Sequence, residues 1–434
     1  MSETPLGEAL DDDDMRKMLA ISDKLKAYTE DIADSVLPFL GTTLLLMHRI
    51  AMGSGSPFAP YVSTFPKSHD CTLCWDDAAM KELKGTAVQH TGRAKSKDVF
   101  RRHILPVLEQ QPSLWPGADY AAFEHAAGMV QSRSFRLNEE NFLTGEAVEG
   151  KELYLIPGID MLNHRTKATE VNSSLQQQEK KVVKQYGGSA EGVYFQGFFA
   201  INADKPIKAG EEVVISYGNL SDAQLLQIYG FVEEHEGFTN PWNSVSIPVS
   251  TVDQALGSVQ PAKQEKSQKR KRQDERAAAP FKITEADPVP ESLVVYIAKL
   301  AHEGMDGFEA MLSLLSLAGQ LMAAYEGSQQ GDQDALRSGA AQGRLRAAML
   351  VRVGERHLLR KFKEAVIRLM TGRDKDGNRI YADDEEEGDD EDEDVDEDAD
   401  EDAVSGGRTD EEGQDEGSID DDEEAEGEEQ ASRK

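Results

Sequence analysis

The chain has 434 residues, with 81 acidic against 47 basic side chains and a formal net charge of −34. That length leaves room for two or three domains, and only two cysteines, Cys71 and Cys74, argue against a disulfide-stapled secreted protein. The apolar runs fall short of the roughly 20 residues of a membrane span, the nearest being Thr42-Thr-Leu-Leu-Leu-Met-His48, and the acidic, polar N-terminus lacks the basic and apolar regions of a signal peptide. An intracellular soluble chain is expected, with neither membrane nor direct nucleic-acid contacts.

Residues 1–14 form an acidic N-terminus ending in Asp11-Asp-Asp-Asp14, which places carboxylates at the start of a helix beginning near Met15. From 15 to 136 the pattern is helical. Met18, Leu19, Leu25 and Tyr28 share one face, and Leu40, Leu44, Leu45, Met47 and Ile50 mark a second, more buried helix. Pro57-Phe-Ala-Pro60-Tyr61 interrupts it, because proline removes a donor and restricts the preceding residue. Further helices are predicted over 95–109 and 119–132.

From 137 to 250 the character shifts to strands. Tyr154-Leu-Ile, the run 193–201 and the run 212–216 are rich in β-branched and aromatic residues. Lys208-Ala-Gly-Glu211 supplies the turn between the last two. Residues 251–287 are poor in apolar side chains and include Lys266-Ser-Gln-Lys-Arg-Lys-Arg272, so they read as an exposed basic linker. Helices resume over 293–300, 308–325 and 344–370, within a helical domain of 288–375. Leu358, Leu359, Phe362, Val366 and Leu369 form a core-facing stripe on the last helix. From 381 to 434 there are 30 Asp and Glu against three basic residues, which leaves the other 380 residues near −7. Such a segment cannot bury enough apolar surface to offset its ordering entropy, so 376–434 is expected to be a disordered acidic tail.

Two segments carry the chemistry. One is Pro157-Gly-Ile-Asp-Met-Leu-Asn163-His164. The other is Ala209-Gly-Glu-Glu-Val-Val-Ile-Ser-Tyr217-Gly218, followed by Leu225-Leu-Gln-Ile-Tyr229-Gly-Phe231-Val-Glu233. Singly, Asn-His is more often a cap or turn, a tyrosine in an apolar run is usually core, and an arginine such as Arg133 is a surface charge. Order and spacing change that balance. Asn-His after an apolar run, then Gly-Glu-Glu leading into Ser-Tyr-Gly, resembles the C-terminal half of a SET domain, the fold that transfers a methyl group from S-adenosylmethionine to a protein side chain.

The resemblance extends over about 15–375. Residues 15–136 look like the helical insert of the branch that includes the RuBisCO large-subunit methyltransferases, and Arg352-Val-Gly-Glu355-Arg-His-Leu-Leu359 is similar to a stretch of its helical C-terminal domain. The layout is most like that of fungal ribosomal-protein lysine methyltransferases. The resemblance implies an α+β fold: a β-rich SET domain with a large helical insert, then an all-α substrate-binding domain and the acidic tail. It implies Tyr217 as catalytic residue, Arg133, Asn163, His164 and Phe231 as cofactor-binding, and Asp160 and Tyr229 as substrate-binding.

The expected function is S-adenosylmethionine-dependent methylation of lysine in a ribosomal or other basic protein. The family's N-terminal Gly-x-Gly segment has no counterpart in 1–14, and Gly53-Ser-Gly55 falls inside the insert, so the N-terminal SET strands are expected to be missing. Two alternatives therefore stand beside the first reading: a histidine acceptor, and a cofactor-deficient protein-binding module.

Two weaker signals remain. Cys71-Thr-Leu-Cys74 with His69 is half of a zinc site, but a tetrahedral structural site takes four ligands and the sequence holds no second pair, so no metal is expected. Lys269-Arg-Lys-Arg272 reads as a nuclear localisation signal or a solvated loop, and the chain is expected in the nucleus, the cytoplasm or both. Oligomeric state is not legible.

Overall fold

The computed structural model describes residues 37–136, 139–140, 147–148, 153–186, 190–234, 239–257 and 279–372. The expected helix near Met15, the basic run at 266–272 and the acidic tail lie outside the described residues.

The insert is helical as expected. It comprises α1 (Leu37–Ala51), α2 (Ala59–Val62), α3 (Asp77–Lys81), α4 (Arg93–Val99), α5 (Leu105–Gln110) and α6 (Tyr120–Arg133). Asp76 and Asp119 cap α3 and α6 by accepting from Ala79 N–H and Ala122 N–H. A π turn over Phe100–Ile104 joins α4 to α5 just ahead of Pro106, whose ring cannot continue an α-helical ladder. Gly53-Ser-Gly55 forms a 3-10 turn directly after α1. The predicted stripe Leu40, Leu44, Leu45 and Met47 is buried against Phe123, Ala127 and Val130 of α6.

The β part consists of short ladders. β1 (Ser134–Arg136), β2 (Glu139–Glu140), β3 (Ala147–Val148) and β4 (Leu153–Leu155) pair antiparallel as β1 with β4 and β2 with β3. β5 (Asn163–His164) runs parallel to β8 (Val214–Ile215). Between them, β6 (Ser173–Tyr186) and β7 (Ala190–Ala203) form a long hairpin with Ser173 opposite Ala203. The sequence shows β7 but hides β6, whose Gln- and Lys-rich composition lacks the alternation of a half-buried strand. The anticipated 212–216 strand is shorter, with only Val214 and Ile215 paired to β5.

Beyond β8 come α7 (Asp222–Tyr229), β9 (Ser244–Ile247), α8 (Val249–Leu256), β10 (Phe281–Thr284), α9 (Glu291–His302), α10 (Gly307–Ala324), α11 (Gln329–Ser338) and α12 (Gly343–Thr371). β9 and β10 pair antiparallel, and Val245, Ile247, Val252, Leu256, Phe281 and Ile283 join the same core as α10 and α12. The helical unit thus draws on residues at both ends of the stretch read as a linker. α10 matches the helix predicted over 308–325, but the sequence reading did not treat it as a candidate span, although it is long and apolar enough by length and composition to cross a membrane. In the fold its Ala310, Leu314, Leu317 and Ala318 pack with Leu358, Leu359 and Phe362 of α12.

The motif at 352–359 turns out to be a buried polar joint between this unit and the insert. Arg352 grips Asp332 through two nitrogens, at 2.9 and 2.6 Å, and donates to the Glu82 carbonyl at 2.6 Å. Arg356 adds a third contact to Asp332 at 2.8 Å. Glu355 accepts from Ala87 N–H and from the Tyr325 hydroxyl. Buried charges of this kind persist only when paired and fully hydrogen-bonded.

Candidate active site

β5 and β8 hold two residues each, yet their pairing brings the two motif segments together. Asn172 fixes the ladder: its Oδ1 accepts from Val214 N–H at 2.9 Å and its Nδ2 donates to the Glu212 carbonyl at 2.8 Å. Two residues past β8, Tyr217 N–H donates to His164 Nδ1 at 2.9 Å. That contact makes Nδ1 the acceptor and puts the imidazole proton on Nε2, which faces Thr166 Oγ1 at 3.1 Å. Burial lowers the His164 pKa, so the ring is neutral near pH 7. The Tyr217 ring stacks on it with centroids 5.0 Å apart, and the Tyr217 hydroxyl donates to the Leu162 carbonyl at 2.5 Å.

The second segment arrives on α7. Ser221 and Gln224 form a reciprocal capping box, with Ser221 Oγ accepting from Gln224 N–H and Gln224 Oε1 accepting from Ser221 N–H. The helix ends at Gly230, whose φ of 83° is left-handed. A Cβ there would also meet the backbone of Asp70 at 2.5 Å, so both conformation and space demand glycine. This turn seats Tyr229 4.6 Å from Tyr217, and Phe231 6.4 Å from His164, centroid to centroid. Burial pushes the Tyr217 phenol up to about 12 and raises Tyr229 as well. Four uncharged rings thus cluster, one pair stacked and the others tilted, beside a backbone carbonyl.

A charged arm adjoins them. The Asp160 carboxylate accepts from the Tyr61 hydroxyl at 2.8 Å, Arg133 Nη1 at 3.0 Å and Gly158 N–H at 3.0 Å. Arg133 also lies over the Phe65 ring at 5.4 Å. Arg133 and Asp160 are therefore partners, each in electrostatic reach of Tyr217. Asn163 is exposed at the rim and donates to Glu212 Oε1 at 2.5 Å, while Glu212 also takes Arg165 at 3.2 Å. Glu233 accepts from Thr166 N–H at 2.7 Å and stands 4.0 Å from His164 Nε2.

The fold gathers His164, Tyr217, Tyr229 and Phe231 into one cluster and pairs Arg133 with Asp160. Sequence reasoning missed Tyr61, which it took as part of a helix break, and Asn172. It read Gly-Glu-Glu as a hairpin leading into Ser-Tyr-Gly and gave its carboxylates no partners; Glu211 closes the turn by accepting from Lys208 N–H, and Glu212 holds Asn163.

No protein-family model matches the chain. Over 360 residues it is 23% identical to the [fructose-bisphosphate aldolase]-lysine N-methyltransferase of Arabidopsis thaliana, covering 75% of this chain and 68% of that one. It is 26% identical over 227 residues to the N-lysine methyltransferase setd6 of Danio rerio, covering 50% and 44% of the two chains. The solved SET domain of LSMT bound to lysine and AdoHcy superposes with a TM-score of 0.54 at 20% identity, over 82% of this chain and 80% of that one. The chain spans between 31% and 68% of the length of the curated relatives it matches. Its homologues include lysine methyltransferases of the LSMT and setd6 kind and, at 25% identity over 207 residues, the actin-histidine N-methyltransferase of Danio rerio; its fold is that of the LSMT SET domain.

Proposed function

We propose that this SET-fold chain is a protein-lysine N-methyltransferase that uses S-adenosylmethionine. The observation that carries the reading is Tyr217: a neutral phenol pinned to the Leu162 carbonyl and packed between the His164 and Tyr229 rings. When bound, S-adenosylmethionine supplies an electrophilic methyl group on a sulfonium cation.

The residues present suit such a ligand. Aromatic faces and a carbonyl oxygen favour a cation without adding a titrating anion, and the rim amide of Asn163 offers both a donor and an acceptor. They suit the acceptor too. An ordinary lysine, with a pKa of about 10.4, needs roughly 4 kcal/mol to be neutral near pH 7.4. Uncharged, half-buried tyrosines lower that cost by withholding the water that stabilises ammonium. The fixed Tyr217 hydroxyl and Leu162 carbonyl then orient the amine, which is where much of the rate comes from.

The substrate class proposed is a lysine-rich protein, ribosomal proteins among them, acting in the nucleus or cytoplasm. The 30 acidic residues of 381–434 supply a long-range field that raises the encounter rate with such partners at low salt.

The test is methyl transfer from S-adenosylmethionine to lysine-rich proteins, with the modified residue located by mass spectrometry. Methyl-lysine is expected, with turnover by Tyr217→Phe down about 10²-fold, the scale of a lost orienting contact. Methyl-histidine would replace the lysine reading. Failure of the chain to bind S-adenosylmethionine in calorimetry would replace it with a binding module.

A further inference from the structure

The loop that packs against Gly230 carries a cluster the methyl-transfer reading does not use. His69 Nδ1 lies 3.1 Å from Cys71 Sγ and 3.7 Å from Cys74 Sγ. One ligand atom from each of the three residues falls within 4.8 Å of the others. Both thiols are buried, Cys71 at 0% and Cys74 at 6% exposure. In a tetrahedron with Zn–S of about 2.3 Å and Zn–N of about 2.0 Å, each N···S edge is about 3.5 Å and the S···S edge about 3.8 Å. The observed N···S edges bracket that value.

The sequence leaves this group one ligand short, and the fold supplies a candidate. His125 on α6 stands with its ring 6.5 Å from that of His69. Two imidazoles on one zinc have centroids about 5 Å apart by the same bond lengths, so an approach of about 1.5 Å brings His125 to that spacing.

A second observation points the same way. The His69 ring occupies the place a Cβ would take on Gly128 of α6, with its Cε1 1.6 Å from that position. Glycine inside a helix costs about 1 kcal/mol relative to alanine. Here it opens the notch that seats this imidazole against the thiols, one turn from His125.

We propose that His69, Cys71, Cys74 and His125 form a structural Zn²⁺ site that ties the 69–75 loop to α6. Mixed thiolate and imidazole donors in a closed tetrahedron select zinc over oxygen-seeking cations. Binding replaces two S–H bonds with two Zn–S bonds and releases two protons to solvent. The site has a mechanical consequence, because Asp70 and Cys71 lie directly against the Gly230 backbone between Tyr229 and Phe231. Zinc would brace the turn that places those two rings.

The experiment uses the full chain purified under reducing conditions. It measures metal content by mass spectrometry and records the absorption spectrum after exchange with Co²⁺. One zinc per chain is expected, along with the ligand-field bands of tetrahedral cobalt and a thiolate charge-transfer band. Cys71→Ser with Cys74→Ser should abolish the metal. His125→Ala, at a half-buried position where folding should survive, should weaken retention at least 10-fold against a chelator. Gly128→Ala should do the same by expelling His69. A chain that stays metal-free in zinc-containing buffer, or a cobalt spectrum unchanged by His125→Ala, overturns the assignment. So does a Cys71–Cys74 disulfide in the freshly purified protein.

Discussion

Asp160→Asn separates the charged arm of the site from its aromatic half. The carboxylate is completely buried, with side-chain exposure 0%, and serves three donors: the Tyr61 hydroxyl, Arg133 Nη1 and Gly158 N–H. An asparagine oxygen in the place of Oδ1 keeps the Gly158 contact. Its NH₂ then faces Arg133 and Tyr61, donor against donor in the first case. One charge-assisted bond is lost and another is weakened, at roughly 1.5–3 kcal/mol for each bond to a charged group. Arg133 retains 19% side-chain exposure, so it can turn partly to water, which puts the total near 3 kcal/mol rather than at the upper end of about 5 kcal/mol for a broken buried pair. At about 2–4 °C per kcal/mol for a folded region of this size, melting should drop by about 6–12 °C by differential scanning fluorimetry. Arg133→Met should fall by less. The double variant should lose clearly less than the sum of the two, because either change alone already breaks the pair. A melting temperature within about 1 °C of wild type for Asp160→Asn, or strict additivity, would refute the assignment of these residues to one buried network.

Three further outcomes follow from the geometry. Gly230→Ala forces a Cβ into left-handed backbone and against Asp70; a loss of about 2–4 kcal/mol is expected in denaturant melts, with methyl transfer reduced further than the unfolded fraction explains. Ser221→Ala removes half of the α7 capping box and should cost about 1 kcal/mol by the same measurement. Burial raises the Glu355 carboxyl to about 7. A raised folded pKa means stability that is complete below the unfolded value of about 4.3 and declines until pH 7, by about 3 kcal/mol over that window. Glu355→Gln should flatten that slope in urea melts run at successive pH values, and an unchanged slope would count against the buried acid.

The resemblance to the LSMT branch and the membership of the aromatic cluster were legible in the chain itself. Asn163-His164 and Ser216-Tyr217-Gly218 keep their local context whatever surrounds them, and the α12 stripe has a helical period that needs no partner to be seen. What lay beyond the sequence depends on contacts between distant residues. Tyr61 reaches Asp160 across 99 positions, and nothing near Pro60 marks it as a site residue. β6 is a strand only because β7 lies beside it, so its polar composition gave no sign. Arg352, Glu355 and Arg356 were legible only as part of a stretch similar to the branch's helical C-terminal domain; their partners Glu82, Ala87 and Asp332 come from elsewhere in the chain. His125, 51 positions beyond Cys74, shows no ligand spacing along the chain.

Local periodicity and motif order are written one residue after another, so the sequence carried many of the helices, the resemblance to the LSMT branch and most of the ring cluster. Which buried charge meets which partner, and which imidazole faces a pair of thiols, was decided only by tertiary packing. Such pairs come together through the close approach of elements whose separation along the chain carries no signal.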